Sequence, residues 1–168
     1  STRRVKAIQN GEEISLENPH EQSVELNLRI PALIPDEYLP DVTTRLTLYK
    51  RLSSVKNDDE LNELQVEMID RFGLLPDAVK NLMRQTRLRF DAEALGICKI
   101  DAGSTQGRLE FGKKPKVDPL AIVKLVQKQP QHYRLDGANH LKFMQDMETP
   151  DARLKAIHHV LHQLKHAS

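Results

Sequence analysis

The chain has 168 residues, of which 39% are hydrophobic and 29% charged, enough for one domain with its own core, or a domain with a tail. Its net charge of +1 exerts no global pull on nucleic acid or membrane, so electrostatic recognition has to come from local stripes. No apolar run approaches the roughly 20 residues that span a bilayer. The N-terminal STRRVKAIQNGEE lacks the apolar stretch of a signal peptide, and the single cysteine, Cys98, cannot form an internal disulfide; these features predict a cytoplasmic protein.

Residues 3–10, RRVKAIQN, read as a helix stopped by Gly11 and beginning without a cap, as the end of a longer helix would. EEISLENPHEQ is polar, carries Pro19 and suits a linker. SVELNLRI alternates: Val24, Leu26, Leu28 and Ile30 face one way, Glu25, Asn27 and Arg29 the other, as in a half-buried strand. Pro31, Pro35 and Pro40 fix φ and push the preceding residues toward extended backbone. They end the strand and leave the connection few conformations to lose on folding, which locks the angle between strand and helix. Asp41 caps the helix that follows, to about Ser53, with Val42, Leu46, Tyr49 and Leu52 as its predicted inner face.

In NDDELNELQVEMIDRFG, Asn57 as cap and Glu60 three residues on resemble a capping box. Leu61, Leu64, Met68 and Phe72 form the apolar stripe, and Gly73 ends the helix. Pro76 and Asp77 open another helix to about Leu95, stopped by Gly96. ICKIDA and GRLEFG form a hairpin around Gly103–Gly107. Asp118 and Pro119 start a short apolar helix, LAIVKLVQK. HYRL and HLKFMQ flank Asp136-Gly137-Ala138-Asn139 as a second hairpin. Thr149 and Pro150 start a last helix to about Lys165, with Leu154, Ile157, Leu161 and Leu164 inward. The predicted architecture is α/β, of the α+β type: a single compact domain with several helices on short, mostly antiparallel strands.

Chemistry-bearing motifs are sparse. Neither G-x-x-x-x-G-K-[ST] nor G-x-G-x-x-G occurs, so nucleotide binding has no phosphate-cradling loop to rest on. Cys98 falls in a predicted strand without an evident histidine partner and reads as a small core residue. His158, His162 and His166 recur at i, i+4, i+8, with His159 beside them. That spacing can bind a divalent metal, but no carboxylate or cysteine completes a known pattern, and a solvated polar face is the plainer reading. Two charge stripes remain. Glu60, Glu63, Glu67 and Asp70 make an acidic ribbon opposite the apolar face of their helix; Glu67 and Asp70 lie near its C-terminal end, where the macrodipole disfavours negative charge. Lys80, Arg84 and Arg87 make a basic ribbon on the next helix. With Arg3, Arg4 and Lys6 it supports an alternative reading, an accessory nucleic-acid-binding domain, although the few aromatic residues look like core rather than a stacking platform.

Three blocks, LRIPALIPDEYLPDVTTRLTLYKRL, ELQVEMIDRFGLLPDAVKNL and LVQKQPQHYRLDGANHLKF, resemble in order the carboxy-terminal domain of the bacterial transcription-repair coupling factors; the likeness runs from about Ser15 to the end. The resemblance implies that residues 1–22 are the end of a motor-lobe helix and a linker, and residues 23–168 a regulatory domain. It implies a parent protein that is an ATP-dependent DNA translocase, removes stalled RNA polymerase and recruits nucleotide excision repair through UvrA. ATP and magnesium would belong to motor domains upstream, and this piece would be neither enzyme nor cofactor carrier. The domain would dock on a UvrB-like module of the same protein and mask the surface UvrA needs. The acidic positions before R-F-G-L-L-P, Glu67 and Asp70, would meet basic residues there, with Glu63 and Glu60 as further candidates. The four histidines depart from what the resemblance leads one to expect.

Overall fold

The proline-bracketed segment sets the layout. Before it lies β1 (Glu25–Asn27); after it come three helices, α1 (Val42–Ser54), α2 (Asp58–Phe72) and α3 (Asp77–Ala94). The hairpin of β2 (Ile97–Ala102) and β3 (Gln106–Phe111) follows, then α4 (Pro119–Lys128), a second hairpin of β4 (Tyr133–Leu135) and β5 (His140–Met144), and α5 (Pro150–Ala167). The computed structural model describes residues 23–167, so the helix and linker predicted for residues 3–22 lie outside the described residues.

The sheet runs β1-β2-β3-β5-β4. Its hairpin and inter-hairpin ladders are antiparallel, as predicted, and β1 joins parallel to β2. A parallel pair needs a long crossover, and α1, α2 and α3 supply it. The predicted strand alternation continues in burial as far as Ile30, but ladder pairing stops at Asn27. Arg29 has φ of 55°, which turns the chain out of the sheet. Buried Arg153 of α5 takes over there: its guanidinium donates to the carbonyls of Leu28 (2.9 Å), Arg29 (3.0 Å) and Met147 (3.0 Å).

Two cores share one spine. Leu61, Leu64 and Met68 of α2 pack with Leu48 and Leu52 of α1 and with Val79 and Met83 from the first half of α3. Leu88 and Ala92, from its second half, pack against the sheet and Leu154, Ile157, Leu161 and Leu164 of α5. One helix thus fixes the three-helix layer relative to the sheet.

The predicted inner face of α1 requires correction. Leu48 and Leu52 are buried and Tyr49 half-buried, but Val42 and Leu46 are 56% and 62% exposed. The buried stripe is turned by roughly 60° at 100° per residue, with Tyr49 and Leu52 kept and Leu48 replacing Val42 and Leu46. Polar anchors set that angle: Arg45 donates to the Leu39 carbonyl at 2.7 Å, and the Tyr49 hydroxyl accepts from the Ile34 N–H at 2.6 Å. Hydrophobic periodicity carries no information about such bonds to a proline-rich loop.

Candidate docking face on α2

Local sequence makes α2 a firm mount. The Asn57 side chain accepts from the Glu60 N–H at 2.9 Å, capping the helix as predicted. The return bond of the box lands one residue early, Glu60 Oε2 accepting from the Lys56 N–H at 2.9 Å. At the other end Gly73 takes φ of 98° and donates to the Ile69 carbonyl at 2.9 Å. Half-buried Phe72 meets Tyr38 edge-on, ring centroids 6.1 Å apart, and the Tyr38 hydroxyl lies 3.1 Å from the Gly73 carbonyl.

On this mount the acidic ribbon splits. Glu60 is occupied by the cap. Glu67 is held by Arg51 of α1 through two hydrogen bonds, Nη1 to Oε2 at 2.5 Å and Nη2 to Oε1 at 2.9 Å, with Arg71 at 3.2 Å from Oε2. The Arg51 bonds, helped by Arg71, hold the Glu67 carboxyl well below its ordinary value, at about 2. Glu63 and Asp70 are exposed and make no hydrogen bond or ion pair among the described residues. At 100° per residue they share the outward face of α2 with Asp59 and with Val66, which is 58% exposed. Val66 was not singled out from the sequence, although its place on the wheel between Asp59 and Asp70 was readable. That Arg51 would claim Glu67 was not readable, because it depends on how α1 is rotated.

The basic ribbon of α3 is turned inward on the fold. Arg84 pairs with Asp151 of α5 at 2.9 Å, and Arg87 donates to Asn62 (3.1 Å) and Gln65 (3.3 Å) of α2. Lys80 is exposed. Two of the three predicted phosphate-binding residues therefore stitch helices together.

Elsewhere, His158, His159, His162 and His166 are exposed on α5, with the His162 and His166 rings 4.1 Å apart and His158 Nδ1 4.0 Å from Asp91. Slight loss of hydration against its neighbours, and then the charges of the neighbouring histidines, push the His162 pKa down. Among the described residues no group of three or more His, Cys, Asp or Glu is placed to hold a metal ion. Cys98 is half-buried, its Sγ 3.3 Å from Glu110 Oε2. Burial first, then the Glu110 carboxylate, push its thiol pKa up, the opposite of an activated nucleophile. Among the described residues no helix is long and apolar enough to cross a membrane.

A mixed five-stranded sheet beneath helices is the fold of a solved C-terminal domain of a transcription-repair coupling factor, which superimposes with a TM-score of 0.73 at 21% identity, over 88% of this chain and 94% of that one. The TRCF domain family model matches residues 28–122. Transcription-repair-coupling factors of Escherichia coli K12 and Haemophilus influenzae are 46% and 48% identical, over 96% and 91% of this chain. The chain belongs to the transcription-repair-coupling factor family, and it spans 14% and 13% of the length of those two relatives.

Proposed function

We propose that this domain is a non-catalytic regulatory module that docks on the UvrB-like module of its own protein and masks the surface that recruits UvrA. In this reading the parent is an ATP-dependent, cytoplasmic DNA translocase that displaces stalled RNA polymerase and hands the lesion to excision repair. ATP and magnesium act in its motor lobes, not here. The observation that carries the reading is the pair of open carboxylates, Glu63 and Asp70, fixed outward on a helix whose opposite face is buried. An Arg-rich surface would complete them with charge-assisted bonds and would relieve the unfavourable placement of Asp70 beside the helix C-terminus. Glu60 and Glu67 support the face rather than touch the partner: one closes the cap, the other braces α2 against α1. A polar contact of this kind can open, as a regulatory clamp must.

The test is a binding titration of the chain against the separate UvrB-like module. Glu63→Ala with Asp70→Ala should leave the melting temperature unchanged and weaken binding at least about tenfold, or 1.4 kcal/mol. Unchanged affinity in the folded variant would remove this face as the docking surface. Raised UvrA binding by the full-length variant is the second expected result.

A further inference from the structure

Most arginines of this domain are spoken for: Arg45, Arg51, Arg84, Arg87, Arg89 and Arg108 each lie against a carboxylate. Residues 113–128, KKPKVDPLAIVKLVQK, break that pattern. They carry Lys113, Lys114, Lys116, Lys124 and Lys128 against one acid, Asp118. The segment is therefore +4 in a chain of +1, which leaves −3 for all the rest. All five lysines are exposed, and none of their ammonium groups makes an ion pair or hydrogen bond among the described residues. Asp118 caps α4, its carboxylate accepting from the Leu120 N–H at 2.9 Å.

The backbone under these charges is fixed. The Lys116 N–H donates to the Leu95 carbonyl at 3.0 Å and the Gly112 N–H to the Gly96 carbonyl at 2.8 Å. The loop lies so close to Gly96 that a Cβ there would stand 2.8 Å from the Lys114 carbonyl oxygen and from the Lys116 nitrogen. Val117 and Ala121 bury the join to α4, and Lys124 and Lys128 follow one turn apart on that helix. Unpaired cations carried on a held loop and on the helix that follows it need little further ordering to meet an extended polyanion.

We propose that this lysine patch contacts the sugar–phosphate backbone of duplex nucleic acid, on a surface separate from the acidic face of α2. Lysine is a point charge suited to phosphate, whereas recognition of protein carboxylates favours the arginine fork. No aromatic residue occurs between Gly112 and Lys128, so bases are not stacked and the contact is independent of sequence. A lipid surface is a poorer match, because Leu120 and Val123 are the large apolar side chains exposed on α4 and no aromatic anchor joins them. The family's work in coupling transcription to repair puts nucleic acid within reach.

The experiment is anisotropy of a fluorescent mixed-sequence duplex titrated with the whole chain across a series of salt concentrations. Binding at low salt should fall with salt by about 0.9 in log K per log salt for each phosphate neutralised. Lys113→Ala, Lys114→Ala and Lys116→Ala together, and separately Lys124→Ala with Lys128→Ala, should each weaken it by about tenfold or more and flatten that slope. Lys80→Ala on α3 should change neither. Absence of binding at low salt, binding by both patch variants as tight as that of the unsubstituted chain, or tighter binding to polyglutamate or to anionic phosphatidylglycerol vesicles than to the duplex would overturn the proposal.

Discussion

Arg51 grips Glu67 with both guanidinium Nη atoms, tying the last turn of α1 to the C-terminal half of α2. The carboxylate that the family resemblance marks as a docking residue is thus already paired within the domain. Arg51→Met and Glu67→Gln should each lower the melting temperature slightly, the Glu67 change somewhat more because Arg71 loses its partner as well, and the double variant should lower it by less than the sum of the two, because both changes remove the Arg51–Glu67 interaction. Additive losses would mean that the two side chains act independently.

The same pair predicts an acid response. The folded-state pKa of Glu67 lies below its ordinary value of 4.5, at about 2. Its contribution to stability is complete above pH 4.5 and is lost as the pH falls toward 2. Chemical denaturation of wild type and Glu67→Gln across this window should show the two stabilities converging toward its acid end. A constant gap would show that the carboxylate is not the titrating partner.

Gly107 on β3 faces the ring of Phe143 on β5, its registered neighbour. A Cβ at residue 107 would lie 2.1 Å from Cζ of that ring. Gly107→Ala should therefore cost about 1–3 kcal/mol or more in urea denaturation. Paired with Phe143→Leu, which vacates the space, it should cost less than the sum of the single changes.

Arg153 is a buried cation whose hydrogen bonds go to the carbonyls of Leu28, Arg29 and Met147. Arg153→Met should cost about 3 kcal/mol or more, since each stranded carbonyl loses roughly 1–3 kcal/mol. Arg153→Lys should recover little, because one ammonium cannot span acceptors set for a planar fork. Full rescue by lysine would reduce the residue to a charge.

Leu64 is 2% exposed in the helical core. Leu64→Ala should cost roughly 2–5 kcal/mol, read from the shift of the denaturation midpoint. Val66→Ala, two residues on and 58% exposed, should leave stability nearly unchanged.

Local signals were sufficient wherever a residue's role depends on its own neighbours in the chain. Asp41, Asn57, Asp118 and Thr149 cap as their side chains dictate, accepting from N–H groups two or three residues on. Leu61, Leu64 and Met68, like Leu154, Ile157 and Leu161, face inward because a 3.6-residue period has one apolar side. Both hairpins follow from turn residues between alternating segments. The rotation of α1, the parallel seat of β1 and the splitting of the acidic ribbon depend instead on partners far away in sequence. Arg45 reaches the end of the proline segment, Arg153 meets Leu28 across 125 positions, and Arg51 takes Glu67 from a face that the helical wheel presents as uniform. A periodic pattern fixes which side of a helix is apolar, but a charged side chain on its flank is free or bound only once a neighbouring helix arrives. That is why the acidic stripe was legible from the sequence, and why its division into bracing Glu67 and open Asp70 was settled only by packing.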